Sequence, residues 1–252
     1  MKNRLNERLD AGQPAIGTIL QIPSAPLAEI VAQAGFDWLL MDAEHGPIGL
    51  ETIHAMVRAT GGTQTTPTVR IASNLDWLAK RTLDIGALGV MFPNVNSGEE
   101  ALAAVRAMRY PPQGNRGVGP TFAALRWGLT GEDYLRNADR EVTAIVQIEH
   151  IDAVDRIEEM LAVPGIDLPL VGPYDLSASM GLMGQVDHPE VQGAIGRVLA
   201  AARKAGAPAG IFCMTADEAN RYIEQGFRAI LVGVDAAFLT AGAKATLGRI
   251  KR

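Results

Sequence analysis

Cysteine, lysine and long apolar runs are all scarce in this sequence of 252 residues. The one cysteine, Cys213, excludes an internal disulfide and suits a reducing cytoplasm. No stretch approaches the ~18 uninterrupted apolar residues of a membrane-spanning helix. Met1 to Leu20 mix charges with Gly and Pro and offer no apolar core of a secretion signal. A formal net charge of −5 leaves no basic footprint for a phosphate backbone, so neither nucleic acid nor membrane is expected as a partner. What is present is ordinary for a globular chain, 48% hydrophobic and 20% charged, enough to fill a core. About 250 residues is also the usual size of one eight-stranded α/β barrel. These bounds predict a soluble, cytoplasmic protein with a single domain over residues 1–252.

Short β-rich runs alternate with amphipathic stretches, the pattern of βα units around a parallel sheet. Eight runs stand out: Gly17–Ile22, Phe36–Met41, Thr68–Ile71, Gly89–Phe92, Thr143–Ile148, Leu168–Val171, Ala209–Phe212 and Ala229–Val232. Helical patterns follow, among them Pro26–Ala34, Leu50–Ala59, Leu75–Asp84, Glu99–Ala107 and Thr215–Gln225. A (β/α)8 TIM barrel is the expected fold. A doubly wound open sheet shares the periodicity but lacks a G-x-G-x-x-G after the first strand. Pro169 inside the sixth run implies a strand that starts at Leu170 or a distorted beginning. The connection from Pro93 to Val142, with Tyr110 to Gly117 inside it, is long enough to be a lid or a subunit contact.

In such a barrel, chemistry sits at the carboxyl ends of the strands. Ionisable groups collect there: Asp42-Ala43-Glu44-His45-Gly46-Pro47 after the second strand, Arg70 at the third, Gln147-Ile148-Glu149 at the fifth, and Gly172-Pro173-Tyr174-Asp175 after the sixth. Gln147 and Glu149 share parity, so both point into the mouth. Glu149 and Asp175 either bracket a hard divalent cation (Mg2+, Mn2+ or Co2+) or are rim carboxylates in salt bridges. Arg70 is either a buried bridge to an acid or a planar donor to a developing enolate oxygen. His45 is either a structural hydrogen-bonder or a proton carrier near the mouth. His54, His150 and His188 read as surface, turn and loop residues. The five lysines, Lys2, Lys80, Lys204, Lys244 and Lys251, all fall away from strand ends, so a Schiff-base mechanism has no nucleophile.

At these residues the sequence resembles the HpcH/HpaI aldolase family, along nearly the whole chain from Ile16-Gly17-Thr18 to Gly233-Val234-Asp235. The resemblance implies a class II aldolase that joins the enolate of pyruvate or hydroxypyruvate to an aldehyde, with a divalent metal on Glu149 and Asp175. It further implies that Arg70 contacts the ketone oxygen and Gln147 the donor, and that backbone amides in Pro173–Asp175 hold the donor carboxylate. His45, supported by Asp84, would move the proton of the acceptor hydroxyl, with a metal-bound hydroxide as the rival base. The loop carrying Arg116 would lie on the substrate side. The assembly implied is a homo-oligomer, a hexamer that exchanges its last helix, Val234–Leu247.

Departures from the family pattern gather on the acceptor side. Ile19-Leu20-Gln21 replaces a common aromatic, Phe212 stands where a smaller aliphatic is usual, and Ala123 to Arg126 lacks a serine that some relatives carry. Two other readings stay open at this point. One is a citryl-CoA-type lyase, which the lack of a basic cluster for nucleotide phosphates disfavours. The other is a non-catalytic barrel that binds an oxoacid–metal complex, which would not need His45 and Arg70.

Overall fold

The computed structural model describes residues 1–251. Its eight parallel strands are β1 (Ala15–Leu20), β2 (Trp38–Asp42), β3 (Thr66–Arg70), β4 (Gly89–Phe92), β5 (Thr143–Ile148), β6 (Leu168–Val171), β7 (Gly210–Cys213) and β8 (Ala229–Val234). They pair in sequence order, and β8 pairs with β1 to close the barrel. The open-sheet alternative is thereby excluded. Closure needs strands that are apolar on both faces, and side-chain alternation supplies two separate layers. Leu39, Met41, Val90, Phe92, Val146 and Ile148 face outward and pack under the helices. Trp38, Leu40, Met91, Ile145, Leu170 and Leu231 fill the interior. Because Ile145 faces inward, Gln147 and Glu149 do so too.

The base of the barrel is plugged by the helix Arg4–Asp10, whose Leu5 is fully buried. Asn3 Nδ2 lies 2.7–3.1 Å from Glu141 O, Thr143 Oγ1 and Leu88 O, tying the N-terminus to the entry of β4 and β5. Trp38 lies across the interior and donates its Nε1–H to Ala15 O at 3.2 Å. A Cβ on Gly17 would come within 2.6 Å of that ring nitrogen, so only glycine fits beside the indole.

Helices run back from mouth to base between strands. Those ending at Ala205 and Gln225 stop on Gly206 and Gly226, with φ of +70° and +117°, a left-handed cap that glycine adopts without Cβ strain. Pro169 sits within β6 opposite Val146, so the strand is not delayed to Leu170. One residue into a strand, at its base, the missing donor is tolerated, and Pro67 does the same in β3.

The long connection corrects one expectation. The barrel helix Gly98–Met108 comes first and returns the chain to the base; only then do the loop with Arg116 and the helices Thr121–Arg126 and Gly131–Glu141 follow. The extra segment packs around Tyr110, Ala123, Tyr134 and Ala138 at the base end, so it is no lid over this chain's own mouth.

Candidate active site

Strand pairing decides what meets at the mouth. Asp42 and Arg70 are register partners on β2 and β3. Asp42 is fully buried and receives Arg70 Nε at 2.9 Å and Nη2 at 2.7 Å on its two oxygens. Gln21 Nε2 at 2.9 Å and the amides of Glu44 and His45 at 3.1 and 3.2 Å complete its shell. Burial alone would raise the Asp42 carboxyl; the bonds and charge of Arg70, then Gln21 and the His45 amide, hold it below its usual range. The turn that follows is tight. A Cβ on Gly46 would lie 2.5 Å from Asp42 O, so glycine lets the chain fold back and present Glu44 and His45 at the rim.

With two of its donors fixed, Arg70 aims Nη1 toward Gln147 Oε1 at 3.3 Å and Glu44 Oε2 at 3.2 Å. Burial opposes its charge, but Asp42, Glu44 and Glu149 keep the guanidinium protonated. The buried bridge is thus seen on one edge of the guanidinium, and the other edge is turned to Gln147 and Glu44.

Glu149 is 5% exposed. Its Oε1 accepts the Asn94 amide at 2.7 Å, and its Oε2 accepts Gln147 Nε2. Burial, with the Glu44 and Asp175 carboxylates adding to it, pushes this carboxyl up to about 7 against the pull of the Asn94 amide and Arg70. Glu44 is likewise raised, by burial first, and its buried Oε2 has no aligned hydrogen-bond donor. Asp175 is exposed in the first turn of the helix Pro173–Ser179. Among the described residues, no three His, Cys, Asp or Glu side chains make a closed metal cage. The chemistry fits a cation held by two carboxylates with its other positions open: Glu149 is buried within the field of the Glu44 and Asp175 carboxylates, and a buried Glu44 oxygen lacks an aligned donor.

His45, Arg70, Gln147, Tyr174, Asp175 and Phe212 line one cavity of about 210 Å³ at the mouth. Gly172 lines it too, and a Cβ there would meet Gln147 Nε2 at 3.0 Å and Glu149 Cβ at 3.2 Å. The His45 side chain is 56% exposed, with Nε2 3.7 Å from Glu44 Oε2. Pro173 is buried behind this wall and has no N–H, so of the expected Pro173–Asp175 amides only those of Tyr174 and Asp175 are available as donors, free of intrahelical acceptors in the first turn. All five lysines are exposed and none lines the cavity.

Two expected site residues lie elsewhere. Asp84 ends the helix Asp76–Asp84, which starts near the mouth after β3 and finishes at the base before β4. There its Oδ1 accepts Arg116 Nη2 at 2.7 Å, and the enclosed Arg116 guanidinium stacks 4.6 Å over the Tyr110 ring. Within one chain Asp84 does not reach His45, and Arg116 does not reach the cavity, because a barrel helix carries its C-terminus to the opposite end from the strand's. Conversely, Asp42, Glu44 and Gln21, which the sequence reading noted at the strand ends without giving them a role, and Asn94, which it passed over, join this cluster. Asp42 carried a usable signal, a buried acid ending the strand beside Arg70. Asn94 carried little: it is the one non-glycine residue with positive φ (50°) among the described residues, a conformation that asparagine tolerates.

Residues 17–241 match the family profile described as HpcH/HpaI aldolase/citrate lyase. Over 250 residues the chain is 42% identical to the 4-hydroxy-2-oxo-heptane-1,7-dioate aldolase of Salmonella dublin, covering 99% of this chain and 95% of that one. An HpcH/HpaI aldolase/citrate lyase family protein from Burkholderia cenocepacia J2315 superposes with a TM-score of 0.91 at 38% identity, covering 98% of both chains. The HpcH/HpaI aldolase from Desulfitobacterium hafniense DCB-2 gives 0.90 at 32%, covering 98% of this chain and 97% of that one. In sequence over nearly its full length and in fold, the chain belongs to the HpcH/HpaI aldolase/citrate lyase family and is an aldolase, a carbon–carbon lyase.

Proposed function

We propose that the chain catalyses reversible aldol addition and cleavage between the enolate of a pyruvate-type 2-oxoacid, pyruvate or hydroxypyruvate, and an aldehyde. The observation that carries this reading is Arg70, anchored by Asp42 and aimed at the same cavity as Gln147 and Asp175, with Glu149 beside them and no lysine. A divalent ion (Mg2+, Mn2+ or Co2+) on Glu149 and Asp175 would supply Lewis-acid polarisation of the donor ketone. The protein's own part starts with the donor. The Tyr174 and Asp175 amides bind its carboxylate, Gln147 orients it, and Arg70 Nη1 donates to the ketone oxygen as negative charge grows there. Arg70 arrives preorganised, since Asp42 already fixes its plane. His45, half-exposed at the rim, is suited to carry the acceptor's hydroxyl proton.

If Asp84 supports His45, it does so from another copy, because within one chain the two lie at opposite ends of the barrel. Exposed apolar residues on the base segment (Val118, Phe122, Leu125) and on the last helix (Phe238, Leu239, Leu247) support a homo-oligomer, a hexamer by family resemblance. The decisive experiment is pyruvate with a panel of aldehydes, with and without metal. Turnover only with metal supports the reading, and undiminished turnover in metal-free protein removes it.

A further inference from the structure

The barrel closes through an irregular pair of strands. Gly17 and Ile19 of β1 pair with Leu231 and Val234 of β8, so a step of two residues faces a step of three and β8 bulges. Gly233 absorbs the extra residue with φ of +65°, and a Cβ there would come within 2.5 Å of the Phe238 ring. Buried Thr18 pins the bulge by donating its Oγ1–H to Gly233 O at 3.1 Å. Just beyond it, Asp235 opens the last helix (Asp235–Gly248) and reaches the end of β1.

Asp235 is 2% exposed. Its carboxylate is held by backbone amides instead of a cation: Gln21 N–H at 3.1 Å to both oxygens, Ile22 N–H at 3.0 Å and Ala236 N–H at 2.7 Å. The start of a 14-residue helix favours the charge as well. A buried acid whose partners outside its own helix are two amides of β1's end acts as a clamp on them.

Gln21 is where the clamp meets the chemistry. It lines the mouth cavity, and its Nε2 donates to Asp42 Oδ2 at 2.9 Å. Asp42 Oδ1 receives Arg70 Nε and the amides of Glu44 and His45. Among the described residues, Oδ2 receives only Arg70 Nη2 and Gln21. Gln21 is therefore the one anchor on Oδ2 apart from the arginine itself. Without it the carboxylate can turn about its Oδ1 bonds and carry Nη2 with it.

We propose that Asp235 and Gln21 are positioning residues for the donor half of the reaction: Asp235 clamps the end of β1, and Gln21 passes that constraint through Asp42 to the Arg70 guanidinium. The inference rests on the aldolase reading above, in which Arg70 serves the enolate oxygen. A displacement of about 1 Å at a reacting group can cost ~10² in rate, so a loosened arginine slows turnover without a broken fold. Donor binding falls to other groups, the Tyr174 and Asp175 amides and Gln147, so the loss belongs in kcat and not in KM.

The test follows solvent deuterium uptake at pyruvate C3 by the assembled enzyme, loaded with whichever of Mg2+, Mn2+ and Co2+ gives the fastest uptake. Gln21→Met keeps the length of a half-buried side chain and deletes its donor. It should lower kcat by about tenfold and leave KM for pyruvate within about twofold. Asp235→Ala should do the same, and Asp235→Asn, which keeps one acceptor oxygen, should recover most of the loss. In an Arg70→Ala background either change should cost less than about twofold more, because the group through which it acts is gone. One readout needs no turnover: hydrogen exchange at the Gln21 and Ile22 amides should quicken by at least about tenfold in Asp235→Ala. Should that variant fold poorly, Gln21→Met alone decides. Normal kcat in Gln21→Met, unchanged amide exchange in Asp235→Ala, or losses that multiply with that of Arg70→Ala overturn the proposal. Absent uptake by the unaltered enzyme sinks the donor chemistry and the proposal with it, whereas uptake with multiplying losses sinks only the positioning role.

Discussion

Asp42 holds Arg70 by two parallel hydrogen bonds, 2.9 and 2.7 Å, across the register pair that joins β2 to β3. The pair is buried, so its two members have separable effects. Asp42→Ala leaves an unpaired guanidinium in the barrel and should destabilise the fold by about 3–5 kcal/mol, the usual cost of breaking a buried ion pair from one side. Urea unfolding of the variant measures it, and a loss below 1 kcal/mol would show that Glu44 alone satisfies Arg70.

Arg70→Ala should cut pyruvate C3-proton exchange and aldol turnover together by ~10²–10³, the typical cost of one oxyanion donor. Arg70→Lys should not restore them, because an ammonium cannot keep both bonds to Asp42 and still present a third donor. Normal exchange in the alanine variant would remove arginine from the enolate site.

The raised carboxyl of Glu149 fixes a sign for pH. Its folded value of about 7 lies above the ordinary 4.5, so between these values the folded state keeps a proton that the unfolded state has lost. Stability of the metal-free protein should therefore fall as pH rises through that window, by an amount on the order of 3 kcal/mol at ~1.4 kcal/mol per unit. Glu44, raised by burial too, adds slope of the same sign. Asp42 works the other way and at lower pH: its depressed carboxyl stabilises above the ordinary 3.8, and this is lost as pH falls below it. Thermal melts from pH 5 to pH 7 check the sign. Glu149→Gln should flatten the slope, and saturating Mg2+ should oppose it.

Chelation should abolish turnover, and Mg2+, Mn2+ or Co2+ should restore it. Asp175→Ala should weaken metal affinity in direct titration without unfolding the protein, since Asp175 is exposed. Borohydride trapping with pyruvate should label no lysine.

His45→Ala should slow retro-aldol cleavage more than C3 exchange, because the imidazole sits at the rim rather than beside Arg70. Equal losses would make it the donor's base. Mixing His45→Ala and Asp84→Ala chains through dissociation and reassembly should regain part of the lost activity if the two residues meet between copies. Reassembled mixtures with no regain would separate them.

The barrel was legible because its strands are punctuated locally. Gly89–Phe92, Thr143–Ile148 and Leu168–Val171 were bounded correctly by composition alone. Parity also put Gln147 and Glu149 in the mouth. What stayed hidden was relational. The grip of Asp42 on Arg70 needs the register between strands whose members lie 28 residues apart, and the Asn94 amide needs a left-handed backbone that no side-chain pattern announces. Asp84 and Arg116 entered the reading through the family resemblance, and a sequence does not say at which end of the barrel, or of which copy, such a loop emerges.

The plug at the base has a temporal side. Asn3 bonds to Glu141 and Thr143, partners 138 and 140 residues downstream. On a ribosome Asn3 can meet Thr66 and Leu88 early, but its bonds to Glu141 and Thr143 must wait until more than half of the barrel has followed. The plug is thus fastened in stages, first to β3 and the entry of β4 and then to the entry of β5.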